Sequence, residues 1–431
     1  MVKKIIVTAI IAIFGIVVNF TACDNGTDPT GNDPRPSSPE PMSGKTAMQY
    51  FTDEGITTGW NLGNTLDAVN NWSYKSPIAE EGCWYNNPKA NQAIFNGVKE
   101  RGFNIVRIPV TWTGHIGPAP DYKLSQDRLR RVAEVAGYAR KAGLKAIINL
   151  HHDDNENYGG WLMLGDAAAS QDNLVQITDK FEKVWAQIAE YFKDYGDWLI
   201  FESMNEVHDE YWGWSQTFQN NPKLFIDIVN GWNQRFTDAV HSTGSNNTQR
   251  FLMYPSYGAN PECTISDGKI YMAEPGQYFK LPTDSAGIGR QIVTFHYYDP
   301  SEFDDDYGVL ANWGTQEEKK TVDDLFGKFK TEFIDKDILV VIGEMGRSRA
   351  FVNPDGSKMT QQQLTTATES RLYWVDYVFT KAKQSGLVSL WWDNGVYKPE
   401  FEKDQFGLFN RNTGKPNSNE SAAIINAITG R

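Results

Sequence analysis

Eight short apolar runs recur along the chain, each bounded by turn-forming residues. They are "TGWNLGN" near Trp60, "FNIVRIPV" near Ile105, "LKAIINLHH" near Ile147, "WLIFESMNE" near Ile200, "RFLMYPS" near Leu252, "QIVTFHYY" near Val293, "ILVVIGEMG" near Val340 and "LVSLWWDNG" near Leu390. Their apolar character is continuous rather than alternating, as expected of strands covered on both faces. The spacing of roughly 40 to 55 residues leaves room for one strand, two loops and one helix per unit. The intervening segments carry helical patterns. "SQDRLRRVAEVAGYARKAG" opens on a Ser cap, places Leu129, Val132, Val135 and Ala136 on one face, and stops at Gly143. "TDKFEKVWAQIAEYFKDYG" and "ESRLYWVDYVFTKAKQSG" read the same way. Eight strand–helix units predict an α/β fold, a single (β/α)8 TIM barrel; an open doubly wound sheet is the competing arrangement.

In such a barrel the C-terminal strand ends share one mouth, where chemistry collects. The predicted exits carry Asn64 and Asp67, Arg107, His151 and His152, Asn205 and Glu206, Tyr254, His296 and Tyr298, Glu344, and Trp392 with Asp393. The strand starts carry mainly apolar or basic residues. Glu206 and Glu344 follow the fourth and seventh strands, so two carboxylates face each other across the mouth. Such a pair can flank one glycosidic bond, one as acid and the other as nucleophile or as base to a water.

Composition narrows the partners. The 431 residues carry a formal charge of −13, which argues against a nucleic-acid polyanion. Fourteen Trp, 19 Tyr and 23 Phe supply flat rings for a core or for sugar platforms. The start, "MVKKIIVTAIIAIFGIVVNFTAC", has two lysines, an apolar run and small residues before Cys23, the layout of a secretory signal peptide over residues 1–23; an uncleaved anchor is the alternative. "FTAC" resembles a bacterial lipobox, with Phe20 where Leu is usual. Residues 24–43 read as a flexible tether and 44–431 as the catalytic domain. An exported, cell-surface or outer-membrane-anchored monomer is expected, touching the membrane only through a lipid at Cys23. Cys83 and Cys263 could form one disulfide or remain two thiols. No metal-ligand spacing or phosphate loop occurs, so no metal or other cofactor is expected. His151 and His152 are adjacent on a strand pattern and should face apart, which argues against a shared ion.

The motifs "NLGNTLDA", "VRIPVTW", "INLHHD", "FESMNEV", "FHYY", "VIGEMG" and "LWWDNG" occur in the order and spacing of glycoside hydrolase family 5. Over about residues 45 to 430 the chain resembles its endo-β-1,4-glucanase and xyloglucanase branch. The resemblance implies a retaining mechanism with Glu206 as acid/base and Glu344 as nucleophile. It implies that Asn205 bonds a sugar 2-hydroxyl and that Arg107 and Tyr298 hold the nucleophile. His151, His152 and His296 would line the same subsite, with His296 polarising the acid/base. Trp392 would be a stacking floor, and Asn64 and Asp67 would reach hydroxyls further along. The substrate implied is a β-glucan polysaccharide; a β-mannanase, or a non-catalytic glycan-binding lipoprotein, are the alternatives.

Two departures stand out. Val207 replaces the proline usual after the acid/base, and the loop "VHDEYWGWSQTF" is long for the family. Trp72, Trp84, Trp112, Trp161, Trp212, Trp214 and Trp313 follow strand exits and are candidates for the outer cleft. Trp185, Trp232 and Trp374 fall in helical patterns and are expected in the core. Asp153 and Asp154 read as loop charges.

Overall fold

The structure, a computed structural model, describes residues 34–72, 76–266, 268, 279–299, 313–349, 357–397 and 405–431. The predicted signal peptide, Cys23, the first part of the tether and the acidic run 302–308 lie outside the described residues. Strands β1 (Thr58–Asn61), β2 (Ile105–Ile108), β3 (Lys145–Ile148), β4 (Leu199–Glu202), β5 (Leu252–Pro255), β6 (Gln291–Tyr297), β7 (Leu339–Met345) and β8 (Val388–Trp391) lie at the eight predicted places. All pair in parallel with their sequence neighbours, and β1 closes on β8 through Thr58 opposite Ser389. The expected closed barrel is therefore present, and the open sheet is not.

Side chains on a strand alternate between inside and outside. The inward set begins low in the barrel with Ile105, Ile147, Ile200, Met253, Ile292, Val341 and Leu390. The helix Ala47–Asp53 packs Tyr50 and Phe51 against this apolar layer. Burying two such rings contributes roughly 1.5–3 kcal/mol each. Two residues further along the strands, the inward set becomes polar: Asn61, Arg107, Asn149, Glu202 and Thr294, all buried. The barrel is thus apolar below and polar just under its mouth.

One irregularity reshapes the rim. Along the β6–β7 ladder, Phe295 pairs with Ile342 but His296 pairs with Glu344, leaving Gly343 as an extra residue. Val341 already points inward, so strict alternation would turn Glu344 outward. The bulge resets the phase and swings Glu344 toward the mouth. A Cβ at residue 343 would lie 2.8 Å from the Thr294 hydroxyl, so only glycine fits there.

The helices cover the outside. Gln126–Lys141 is capped by Ser125 and buries all four residues predicted to face inward. Gln171–Phe192 and Gln361–Gln384 start earlier than their apolar patterns suggest. Ser170 caps the first through the Asn173 amide, and Thr360 forms a capping box with Gln363 on the second. Trp185, Trp232 and Trp374 are core residues as expected, but so are Trp112 and Trp313, at 0% and 6% exposure. Those two are not cleft residues. Trp112 is spent on packing and on donating to the Asn149 carbonyl. Cys83 and Cys263 are both free thiols.

The tether also needs correction, because from Pro34 onward the chain is bound to the barrel. Glu40 accepts from the Trp198 indole at 2.6 Å and the Gly196 amide at 2.8 Å, and it pairs with Arg140. The Glu40 amide donates to the Asp194 carbonyl, and Ser43 donates to Asp197. Residues rich in Pro and Ser suggested freedom, yet polar side chains here satisfy exposed groups of the β3–β4 region. Glu40→Ala would leave the Trp198 and Gly196 donors unpaired, at a cost of about 1–3 kcal/mol. A urea titration should show that loss, while turnover at the distant mouth stays unchanged.

Candidate active site

Arg107 rises inside the barrel from β2 and is fully buried. Its guanidinium meets four partners: Glu202 through Nε at 2.6 Å, Glu344 through Nη1 at 2.5 Å, Asn61 through Nη1 at 3.2 Å and Asn205 through Nη2 at 2.7 Å. Burial opposes its charge, but the two carboxylates overcome this and raise its pKa above the usual range. Glu344 takes its second bond from the Tyr298 hydroxyl, at 3.0 Å to Oε2. Both oxygens of Glu344 are thus held by donors.

Glu206 stands opposite, and its surroundings differ. His296 Nδ1 lies 2.6 Å from Glu206 Oε1 and 3.7 Å from Glu344 Oε2. One oxygen each of Glu206 and Glu344 and the His296 nitrogen all lie within 4.8 Å of one another. Loss of solvation pushes the Glu206 carboxyl up to about 7, with His208 and Arg107 pulling weakly the other way. Burial pushes His296 down to about 4, so its ring is neutral near pH 7 and can hand a hydrogen bond to Glu206 in either direction.

The remaining predicted residues gather at the same mouth. Asn205 accepts from Arg107, which leaves its amide NH2 free to donate to a ligand. His151 Nε2 is 3.9 Å from Glu344 Oε1, and its ring lies 5.8 Å from the Trp392 ring at 12°. Trp392 sits over Gly63, where a Cβ would come within 2.8 Å of the indole. His152 packs on Trp84 at 5.4 Å and points Nε2 at Asp67 Oδ2, 3.9 Å away. Burial keeps both histidines neutral, His152 down to about 3 and His151 well below its usual value.

Three expectations change. Asp67 is buried, and its oxygens accept from the Asn64 and Thr65 amides at 2.8 and 2.7 Å. It shapes the β1 loop and holds Asn64 in a left-handed turn (φ 52°) rather than reaching out to a sugar. Asn64 keeps its side-chain amide unengaged among the described residues. Tyr254 faces the helices, bonded to Thr237, and Asp393 is buried against Trp60 and Arg411. Finally, His151 and His152 do not face apart: their ring centroids are 4.4 Å from each other. β3 ends at Ile148, so strand alternation no longer governs them.

Two donor groups could by spacing approach an ion: Asp67 with the two histidines, and Glu206 with His296 and Glu344. Their carboxylates are already committed, Asp67 to backbone amides and Glu344 to Arg107 and Tyr298. The residues missed by the sequence reading are Glu202, which grips Arg107, and His208, whose Nδ1 lies 2.5 Å from the Glu206 carbonyl. Glu202 sits two residues beyond inward-facing Ile200, and that alternation was the available signal.

Residues 66–398 match the family described as Cellulase (glycosyl hydrolase family 5). The chain belongs to glycosyl hydrolase family 5. It is 34% identical over 382 residues to Endoglucanase B of Clostridium cellulovorans, covering 85% of this chain and 73% of that protein. It is 30% identical to a xyloglucan-specific endo-beta-1,4-glucanase of Bacteroides ovatus, covering 86% and 68%. A GH5-4 broad specificity endoglucanase from Bacteroides salanitronis superposes with a TM-score of 0.76 at 35% identity, covering 90% of this chain and 95% of that one. As a member of the family, this protein is a glycoside hydrolase.

A reaction that draws its proton from Glu206 would take its pH dependence from that carboxyl. Because its pKa is raised, the acid form is populated below about 7 and lost above it. kcat/KM on a soluble glucan should therefore fall as pH rises through about 7. With an aryl cellobioside that needs little acid assistance, the same limb should flatten.

Proposed function

We propose that this protein is a retaining endo-β-1,4-glucanase that cuts internal bonds of cellulose-type chains, xyloglucan or mixed-linkage glucan. The observation that carries the reading is the close approach of Glu206 and Glu344, whose nearest oxygens lie within 4.8 Å. Retaining enzymes hold their carboxyl groups about 5–5.5 Å apart, whereas inverting ones leave roughly 6.5–9.5 Å for a water between them. The relatives named as endoglucanases and xyloglucanases support the substrate class.

In the first step a Glu344 oxygen attacks the anomeric carbon while Glu206 passes its proton to the glycosidic oxygen. The leaving chain departs with a free hydroxyl, and a glycosyl ester remains on Glu344. Arg107 and Tyr298 hold the attacking carboxylate on line. Esterification removes the charge on Glu344, so Arg107 is less neutralised and favours ionised Glu206 more strongly. Glu206 then takes a proton from water, the hydroxide attacks the same carbon from the vacated face, and Glu344 is released. Two inversions give net retention. Trp392 offers its ring to the apolar face of the sugar bound before the cut, and Asn205 donates toward the 2-hydroxyl.

Proton NMR during hydrolysis of cellohexaose should show the β-anomer forming first; initial α-anomer would exclude the mechanism. Glu344→Gln should abolish turnover on every glucan. Glu206→Ala should retain activity on dinitrophenyl cellobioside, and azide should raise it with release of a β-cellobiosyl azide. Turnover on carboxymethyl-cellulose, lichenan and xyloglucan should exceed turnover on glucomannan and crystalline cellulose.

We further infer export and attachment through Cys23, supported by Lys3 and Lys4, the apolar run and the lipobox-like "FTAC". Cys23→Ala should move the enzyme from the membrane fraction to the soluble fraction. An unchanged distribution would argue for a cleaved, unanchored product.

A further inference from the structure

The guanidinium at the centre of the barrel is faced by two carboxylates, one more than neutrality requires. Arg107 donates through Nε to Glu202 Oε2 at 2.6 Å and through Nη1 to Glu344 Oε1 at 2.5 Å. The side chains of Arg107 and Glu202 are 0% exposed, and that of Glu344 is 6% exposed. Enclosing a second carboxylate is costly, so its presence asks for a reason. Its bonding narrows the choice. Oε2 is taken up by Arg107, and Oε1 has no hydrogen-bond partner among the described residues. A side chain so enclosed cannot touch a sugar, and Glu202 can act only through the guanidinium.

The proposed reaction creates the need. In its first step a Glu344 oxygen bonds the anomeric carbon, the glycosidic bond breaks, and the leaving oxygen takes the Glu206 proton. Glu344 then carries an ester and no charge. With no second anion, Arg107 would be left as an uncompensated cation sealed from water. Glu202 meets the guanidinium at a different nitrogen from Glu344, so its bond does not depend on the one that is lost. Burial and the Glu344 charge both oppose ionisation of Glu202, while Arg107 favours it and Asn149 is the other polar group facing it. Esterification removes the Glu344 repulsion, so the Glu202 anion is most secure when Arg107 depends on it. Arg107 must not shift at that stage, because its Nη2 holds Asn205 beside Glu206.

We propose that Glu202 is a positioning residue, the resident counterion that keeps Arg107 paired and in place while Glu344 is held as a glycosyl ester. This rests on the reading of Glu344 as the nucleophile. The two chemical steps should then respond to Glu202 with opposite sign. Ester formation leaves Arg107 and Glu202 as a neutral pair, whereas without the Glu202 charge it leaves a bare buried cation. Removing that charge therefore slows formation. Ester breakdown returns the negative charge to Glu344, and an unpaired Arg107 would draw it back faster.

Dinitrophenyl 2-deoxy-2-fluoro-β-cellobioside separates the steps, because its fluorine slows both and its leaving group needs little acid help. Loss of activity with this reagent reads ester formation, and recovery after the excess is removed reads ester breakdown. Glu202→Gln keeps the shape and deletes the charge. It should slow inactivation by about tenfold and quicken recovery by about threefold. Glu202→Asp draws the charge one methylene back from Arg107 and should shift both rates in the same opposed directions by about twofold. That second variant carries the comparison if Glu202→Gln does not fold. Equal slowing of both steps would mean that Glu202 merely packs beneath Arg107, and unchanged rates would mean that it is idle; either result overturns the proposal alone. A wild-type enzyme that forms no adduct on Glu344, read by peptide mass, would overturn the reading of the nucleophile and this proposal with it.

Discussion

The site hangs on the fork of one guanidinium. Arg107 reaches Glu344, Asn205 beside Glu206, and the anchor Glu202 from a single buried position. A lysine could not do this, since a point charge has no fixed geometry with which to hold several acceptors at once. The cluster is also expensive to bury, and it is tolerable because all three guanidinium nitrogens are engaged, two of them by the charged carboxylates. The barrel makes this possible by placing the fork two residues above an apolar layer that seals it from below. Glu202 supplies charge balance. Burial raises its carboxyl to about 7 against the pull of Arg107.

From that constraint follows the division of labour between two identical side chains. Glu344 has two strong donors, Arg107 and Tyr298, on its oxygens. Glu206 has, among the described residues, only a neutral histidine at bonding distance, and loss of solvation raises its pKa to about 7. The histidines matter for what they do not carry. A positive charge on His151, His152 or His296 would favour the ionised form of Glu206. Burial prevents that for all three. The asymmetry is thus made by surroundings rather than by residue type.

How much of this could be read from the chain divides along physical lines. The strands were legible because full burial on two faces leaves an unbroken apolar run, and the barrel followed from eight of them. Helix starts were not, because Ser170 and Thr360 begin helices through polar caps ahead of the apolar stripe. Most site residues were legible as strand exits, yet the exit rule overreached. It assigned Tyr254 and Asp393 to the mouth, although the first turns to the helices and the second is enclosed by Trp60 and Arg411. The family resemblance in turn gave Asp67 a sugar-binding role, whereas its oxygens accept from the amides of its own short loop. Glu202 stayed hidden behind the more conspicuous Asn205-Glu206, and the segment 34–43 looked free because its partners lie far away in sequence, among residues 140 to 198.

The bulge at Gly343 is the step that composition and periodicity cannot reach. A strand reading places Val341 inward and Glu344 outward, and only the slip in pairing between Phe295 and His296 reverses that. The reversal has two consequences at once. It sets Glu344 opposite His296 in the ladder, which brings its Oε2 within 3.7 Å of the nitrogen that touches Glu206. It also requires a residue without a side chain at position 343, since the space above it is already filled by Thr294 and His296. The glycine before the nucleophile therefore acts through position. Any larger residue there would have to displace the histidine that couples the two carboxylates, or return the strand to regular pairing and turn the nucleophile away.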